Sequence, residues 1–139
     1  MLRVQIENIH RGRRLEKSRI RAIVRRVLRV EGVSAGDITV IFVGMRYCRI
    51  INRRFLNHDY ATDVLAFPLS EDKHLEAEIY VNMDRAVPQA KEYGVSVANE
   101  IARLVIHGTL HLVGYNDTTR KDSRKMRHAE DVHLAHWFD

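Results

Sequence analysis

Two histidines lie four residues apart in "HGTLHLVGYND", residues 107–117, with a glycine three positions after the second and an aspartate three beyond that. On a helix this spacing stacks His107 and His111 one turn apart, the geometry by which a helix offers two imidazoles to one ion. Gly114 lets the chain reverse through a left-handed conformation just past the helix end, and the reversal can bring Asp117 round as a third ligand. Two neutral imidazoles and a carboxylate suit zinc with a fourth position left for water; they also admit iron, manganese or nickel. The competing reading makes His107 and His111 core histidines bonded to backbone carbonyls, and Asp117 the N-cap of a final helix. A metalloprotease of the HExxH type is excluded, because the residue after the first histidine, where that mechanism needs a glutamate base, is Gly108. Glu100 shares the face of His107 but stands two turns away, roughly 10 Å along the axis, too far to be a ligand. It reads as a supporting or surface group.

The elements that must position this pair follow from periodicity. Val97, Ile101, Leu104, Val105, Gly108 and Leu112 form one apolar stripe with the histidines on its flank, and Ile106, Leu110 and Val113 cover the opposite side. A helix from about Ser96 to Val113 is therefore buried nearly all round at its C-terminal end. Upstream, "LRVQIENI" alternates like a half-buried strand, and residues 15–32 carry apolar positions at helical spacing beneath an arginine-rich face. "DITVIFVG" reads as a central strand, "MRYCRIINRRFL" as a short helix, and "TDVLAFPL" and "AEIYVNM" as further strands. A helical stretch begins at residue 86 and is interrupted by Gly94, and a charged helix runs from about Thr119 to His136. Strand, helix, strand, helix, two strands and then helices predict an α/β or α+β fold, a mixed sheet of about four strands packed by helices.

A chain of 139 residues fits one compact domain, and 45% hydrophobic residues with two prolines exclude a disordered or fibrous protein. The single Cys48 can make no internal disulfide, and no apolar N-terminal run resembles a secretory leader, which fits a reducing, cytoplasmic setting. No apolar stretch reaches the roughly 18 residues of a membrane span, so a soluble protein without a membrane partner is expected. The net charge of +5 is concentrated in "HRGRRLEKSRIRAIVRRVLR" and "RKDSRKMRH". Such basic runs attract polyanions by counterion release, although each could equally be a solvated helix face.

"HGTLHLVGYND" resembles the signature of the YbeY family of zinc-dependent rRNA-maturation endoribonucleases, H-G-x-L-H-L-x-G-Y-D-H, at every specified position but the last two. Around it, "LNHDYATDVLAFPL" is similar to the family's T-D/N-V-L-S-F-P segment, "AEIYVN" to its G-D-I strand, and "MRHAED" to its methionine-to-glutamate helix. The similar segments span residues 51–131 in the family's order. The resemblance implies one metal-dependent endoribonuclease domain over residues 1–139, with zinc held by the catalytic set His107, His111 and Asp117. It implies ribosomal RNA as substrate, acting at the 3′ end of the small-subunit RNA and on defective ribosomes, with the small ribosomal subunit and assembly proteins as partners. Asp117 stands where the family has a third histidine. Leu56 stands where many members carry an arginine for catalysis or RNA binding; Arg53, Arg54 and Arg85 are the nearby candidates for that role, and Thr62 and Asp63 are candidates to line the cleft, competing with a capped strand start. The rival class is a non-catalytic ribosome-biogenesis or RNA-binding factor stiffened by metal, in which His58 or His128 would close the fourth position. His133 is a further candidate should Asp117 prove to be only a cap.

Overall fold

The computed structural model describes residues 1–10, 12–56, 62–70 and 73–138, the side chains of residues 55 and 56 excepted. The elements run β1 (Leu2–Asn8), α1 (Lys17–Val30), β2 (Gly36–Val43), α2 (Met45–Leu56), β3 (Val64–Pro68), β4 (Leu75–Asn82), α3 (Met83–Tyr93), α4 (Val97–Leu112) and α5 (Arg120–Ala135). They form the mixed four-stranded sheet expected from the sequence, in the order β1-β2-β4-β3. β1, β2 and β4 are parallel, with Val4 beside Ile38 and Ile38 beside Ala77, while β3 runs antiparallel to β4 with Leu65 beside Tyr80. β3 ends on Pro68 at the sheet edge, where the missing N–H of proline leaves no ladder bond unmade.

The alternation in β1 buries Leu2, Val4 and Ile6 on one face, and Ile38, Val40, Phe42, Ala77, Ile79 and Val81 continue that face across the sheet. α1 brings Ile20, Ile23, Val24, Val27 and Leu28 to this core, and α4 brings Ile101, Leu104, Val105 and Ile106. The opposite face carries a smaller cluster of Ile41, Val43, Cys48, Ile51 and Leu65 beneath α2. α3 begins at Met83 rather than at residue 86, because the Asn82 side chain caps it by accepting from the Asp84 N–H at 3.1 Å. Among the described residues no helix is long and apolar enough to cross a membrane.

Gly108 sets how closely α4 lies on the sheet. A Cβ at this position would stand 2.8 Å from Ile79 Cγ2 and 3.2 Å from Val64 Cγ2, inside normal contact with two strands at once. Branched side chains on β4 and β3 have little room to withdraw, so α4 itself would have to lift. Gly108→Ala is expected to lower stability by about 1–3 kcal/mol, the usual penalty for overpacking a core. Urea denaturation tests this; an unchanged midpoint would mean that α4 shifts freely. The glycine that rules out a glutamate base is thus also the residue that seats the histidine helix.

Candidate metal centre

α4 starts with Ser96 accepting from the Asn99 N–H at 3.0 Å and ends in a reversal at Gly114, whose φ of 103° is the left-handed conformation expected there. The Gly114 and Tyr115 N–H groups return to the carbonyls of His111 and Leu110. The returning segment carries Asp117 back over the helix end. The N-cap of α5 is Thr119, which accepts from the Asp122 N–H at 3.0 Å, so the Asp117 carboxylate does not serve as that cap.

His107, His111 and Asp117 each offer a ligand atom, and these atoms lie within 4.8 Å of one another. The two Nε2 atoms are 3.1 Å apart; Asp117 Oδ2 is 3.7 Å from Nε2 of His107, and Oδ1 is 3.9 Å from Nε2 of His111. Ligand atoms held about 2.0–2.1 Å from one zinc ion in a tetrahedron stand roughly 3.3 Å from each other, so the donor set closes on an ion with small side-chain adjustments. His111 also has a backbone hydrogen bond at Tyr115, yet its Nε2 faces the Nε2 of His107 and the Asp117 carboxylate, an arrangement that a core histidine bonded only to a carbonyl does not need.

Glu130 fixes the direction of His107. Its Oε2 lies 2.6 Å from His107 Nδ1, so that nitrogen carries the proton and Nε2 presents its lone pair to the gap. Its Oε1 accepts from Arg103 Nη1 at 2.9 Å, while Arg103 Nη2 donates to Asp131 at 2.8 Å. Burial by itself lowers the His107 pKa, but the hydrogen bond and charge of Glu130, with Asp117 and Asp63, hold it above the ordinary value. His111 is held below its ordinary value by burial and the neighbouring His107 ring, against the pull of Asp117. The pair is therefore split, with His111 the readier to present a neutral ring.

A cleft of about 280 Å³ opens beside these residues, lined among others by Asp63, Gln89, Glu100, Arg103, His107 and Arg127. Asp63 does reach it, whereas Thr62 faces its carbonyl to the Asn82 amide at 3.0 Å and is not part of the lining. Glu100 is not a surface group. It is 2% exposed, and burial together with Asp63 pushes its pKa up to about 7. Arg53 and Arg54 lie in the last turn of α2 and Arg85 in α3; all three are exposed, and none lines the cleft. His133 is buried against Glu31 at 3.2 Å, His128 is exposed on α5, and residues 57–61, which include His58, lie outside the described residues.

Glu130, Arg103, Arg127, Gln89 and Tyr93 are among the cleft residues that periodicity alone passes over. Glu130 carried a signal: Met126, Ala129, His133 and Leu134 are the buried stripe of α5, and a glutamate in that stripe is an expensive placement that calls for a partner. The others depend on which helices pack together.

The model of the family described as endoribonuclease YbeY matches residues 5–137. The chain is 40% identical over 131 residues to the endoribonuclease YbeY of Chlorobium phaeovibrioides, covering 94% of this chain and 88% of the relative. It is 35% identical to that of Salinibacter ruber, covering 94% and 89%, and 34% identical to that of Chlorobium luteolum, covering 99% of both. The solution structure of TM1509 from Thermotoga maritima is similar with a TM-score of 0.63 at 26% identity, over 96% of this chain and 87% of that one. A family match over nearly all of the sequence, with relatives covered almost end to end, means that the chain belongs to the endoribonuclease YbeY family.

Proposed function

We propose that residues 1–139 act as one metal-dependent endoribonuclease domain, with one zinc ion held by His107, His111 and Asp117 as the catalytic set. The observation that carries this reading is the convergence of three donor side chains at separations near tetrahedral edges, with Glu130 behind the first of them. Bound there, zinc would supply Lewis acidity for a phosphoryl oxygen and an activated water, the chemistry phosphodiester hydrolysis needs.

The remaining parts are tasks for the chain itself. Glu130 keeps the His107 ring in one tautomer and one orientation, and Arg103 holds Glu130 in turn. Arg127, exposed at the cleft, provides charge for a phosphate on the approaching strand. Arg53, Arg54 and Arg85 extend the basic surface outside the cleft as a backbone-binding track that supplies the charge Leu56 lacks. The substrate is ribosomal RNA at the 3′ end of the small-subunit species, met on the small ribosomal subunit with its assembly proteins in the cytoplasm.

The rival reading, a metal-stiffened factor without activity, needs a fourth protein ligand. Among the described residues the group of potential ligands here stops at three and does not include His128. Incubating the protein with ribosomal RNA precursor, with and without chelator, tests the proposal. Cleavage should stop with chelator and return on adding zinc; cleavage indifferent to chelator, or none from fully metal-loaded protein, would overturn it.

A further inference from the structure

The cleft continues beyond the three donor residues along the face of α4, where Glu100, Arg103 and His107 follow one another at helical spacing. The same lining includes Gln89 and Tyr93, one turn apart on α3, and Asp63 just ahead of β3. The groups there suit neither phosphate nor a metal-ligand role toward the histidines. Glu100 is 2% exposed, yet no hydrogen bond or ion pair engages its carboxylate among the described residues. Arg103, the nearest cation along the helix, is already shared between Glu130 and Asp131. Gln89 gives its Nε2 to Asp63 at 3.4 Å, while its Oε1 is buried without a partner. Unmet buried acceptors of this kind are costly, and such a group at a cleft wall calls for a donor from outside. Tyr93, 58% exposed, is the aromatic residue of this lining.

We propose that this end of the cleft is a nucleobase subsite, built to take a guanine of single-stranded RNA between Tyr93 and the carboxylate of Glu100. The inference rests on the endoribonuclease reading of the neighbouring site and adds to it a base preference. Single-stranded RNA is read by stacking unpaired bases on aromatic rings and bonding their Watson–Crick edges. A carboxylate offers two acceptor oxygens side by side and no donor. Guanine alone presents two adjacent donors on that edge, N1–H and the N2 amino group. Adenine and cytosine would turn a ring-nitrogen acceptor toward the carboxylate, and uracil would flank its single donor with two carbonyls. The second N2 proton of guanine leaves a donor for Gln89 Oε1. The raised pKa of Glu100, set by burial and by Asp63 and Glu130 against Arg103 and Arg127, agrees with a carboxylate that lacks its donors until a ligand brings them.

The four nucleoside 5′-monophosphates share sugar and phosphate, so differences among them read the base. Titrating each into isotope-labelled protein, with and without zinc, should show GMP moving the Tyr93, Gln89 and Glu100 amide resonances with at least about tenfold tighter binding than the other three, one well-formed recognition pair being worth that much. Glu100→Gln replaces one acceptor by a donor and should bring the four nucleotides level. Glutamine keeps the size of the side chain and matches the uncharged form that burial favours here, and thermal unfolding of the variant checks that it stays folded. Tyr93→Leu should weaken all four without changing their order. Equal binding of the four by the unaltered protein, GMP shifts confined elsewhere, or a guanine preference surviving in Glu100→Gln would overturn the subsite. Magnesium alone moving the same resonances, with no base preference, would overturn it in favour of a cation site. Because the titrations need no cleavage, a failed subsite leaves the chelator experiment standing, and a failed cleavage assay leaves the subsite measurable.

Discussion

Replacing His111 by alanine should remove stoichiometric zinc from a protein that stays folded. The side chain is 32% exposed and lies at the last turn of α4, so truncation leaves no large cavity in the core. Its ring, held toward the neutral form, supplies one of three donors, and a site reduced to His107 and Asp117 retains too few for tight binding. Metal analysis after gel filtration should give about one zinc per chain before the substitution and far less after it, a loss beyond the roughly 10–100-fold that follows removal of a merely supporting residue. Thermal unfolding of the two metal-free proteins should be nearly the same. Full zinc in His111→Ala would move the site off this helix, and full zinc in Asp117→Ala would reassign the third ligand.

Glu130→Gln should show how much of the site is made by orientation. Glu130 is 5% exposed and holds His107 with one oxygen and Arg103 with the other. A glutamine has a single acceptor oxygen, so it can satisfy one of these donors and must turn its amide nitrogen toward the other. Zinc affinity is expected to fall about 10–100-fold, the range for losing a carboxylate behind a ligating histidine. Stability of the metal-free protein should fall as well, by about 1–3 kcal/mol, because a charge-assisted bond is lost beside a half-buried guanidinium. Asp131 still pairs with Arg103, which keeps the cost below that of a fully orphaned buried charge. Competition titration against a chromophoric chelator gives the affinity, and urea denaturation gives the stability. Unchanged affinity with reduced stability would make Glu130 a packing residue only.

The residues on which the site depends were legible to different depths. His107, His111, Gly114 and Asp117 lie within one helical end, where spacing alone decides which side chains meet, and the left-handed φ of 103° at Gly114 bears out the reversal. The mixed sheet and its helices followed from local periodicity. The strand order did not, because β4 inserting between β2 and β3 is decided by pairing between distant segments. α3 starts three residues before its periodicity becomes visible, because the signal for its start is one asparagine, Asn82, at the end of a strand. Glu100 sat on the correct helix face by arithmetic, but its burial is set by neighbouring elements that sequence does not place against it. Arg53, Arg54 and Arg85 were near the site in sequence order; the fold leaves their side chains outside the cleft, where Arg103 and Arg127 stand instead.

Diffraction from crystals of zinc-loaded protein, recorded on both sides of the zinc absorption edge, tests the central claim most directly. One anomalous peak is expected per chain, about 2.0–2.1 Å from the Nε2 atoms of His107 and His111, bonded to the Asp117 carboxylate and with its remaining position open toward the cleft. A peak elsewhere, for instance where Asp37, His74 and Glu76 also bring possible ligand atoms within 4.8 Å of one another, or one closed by a fourth protein ligand such as His58 or His128, would contradict it.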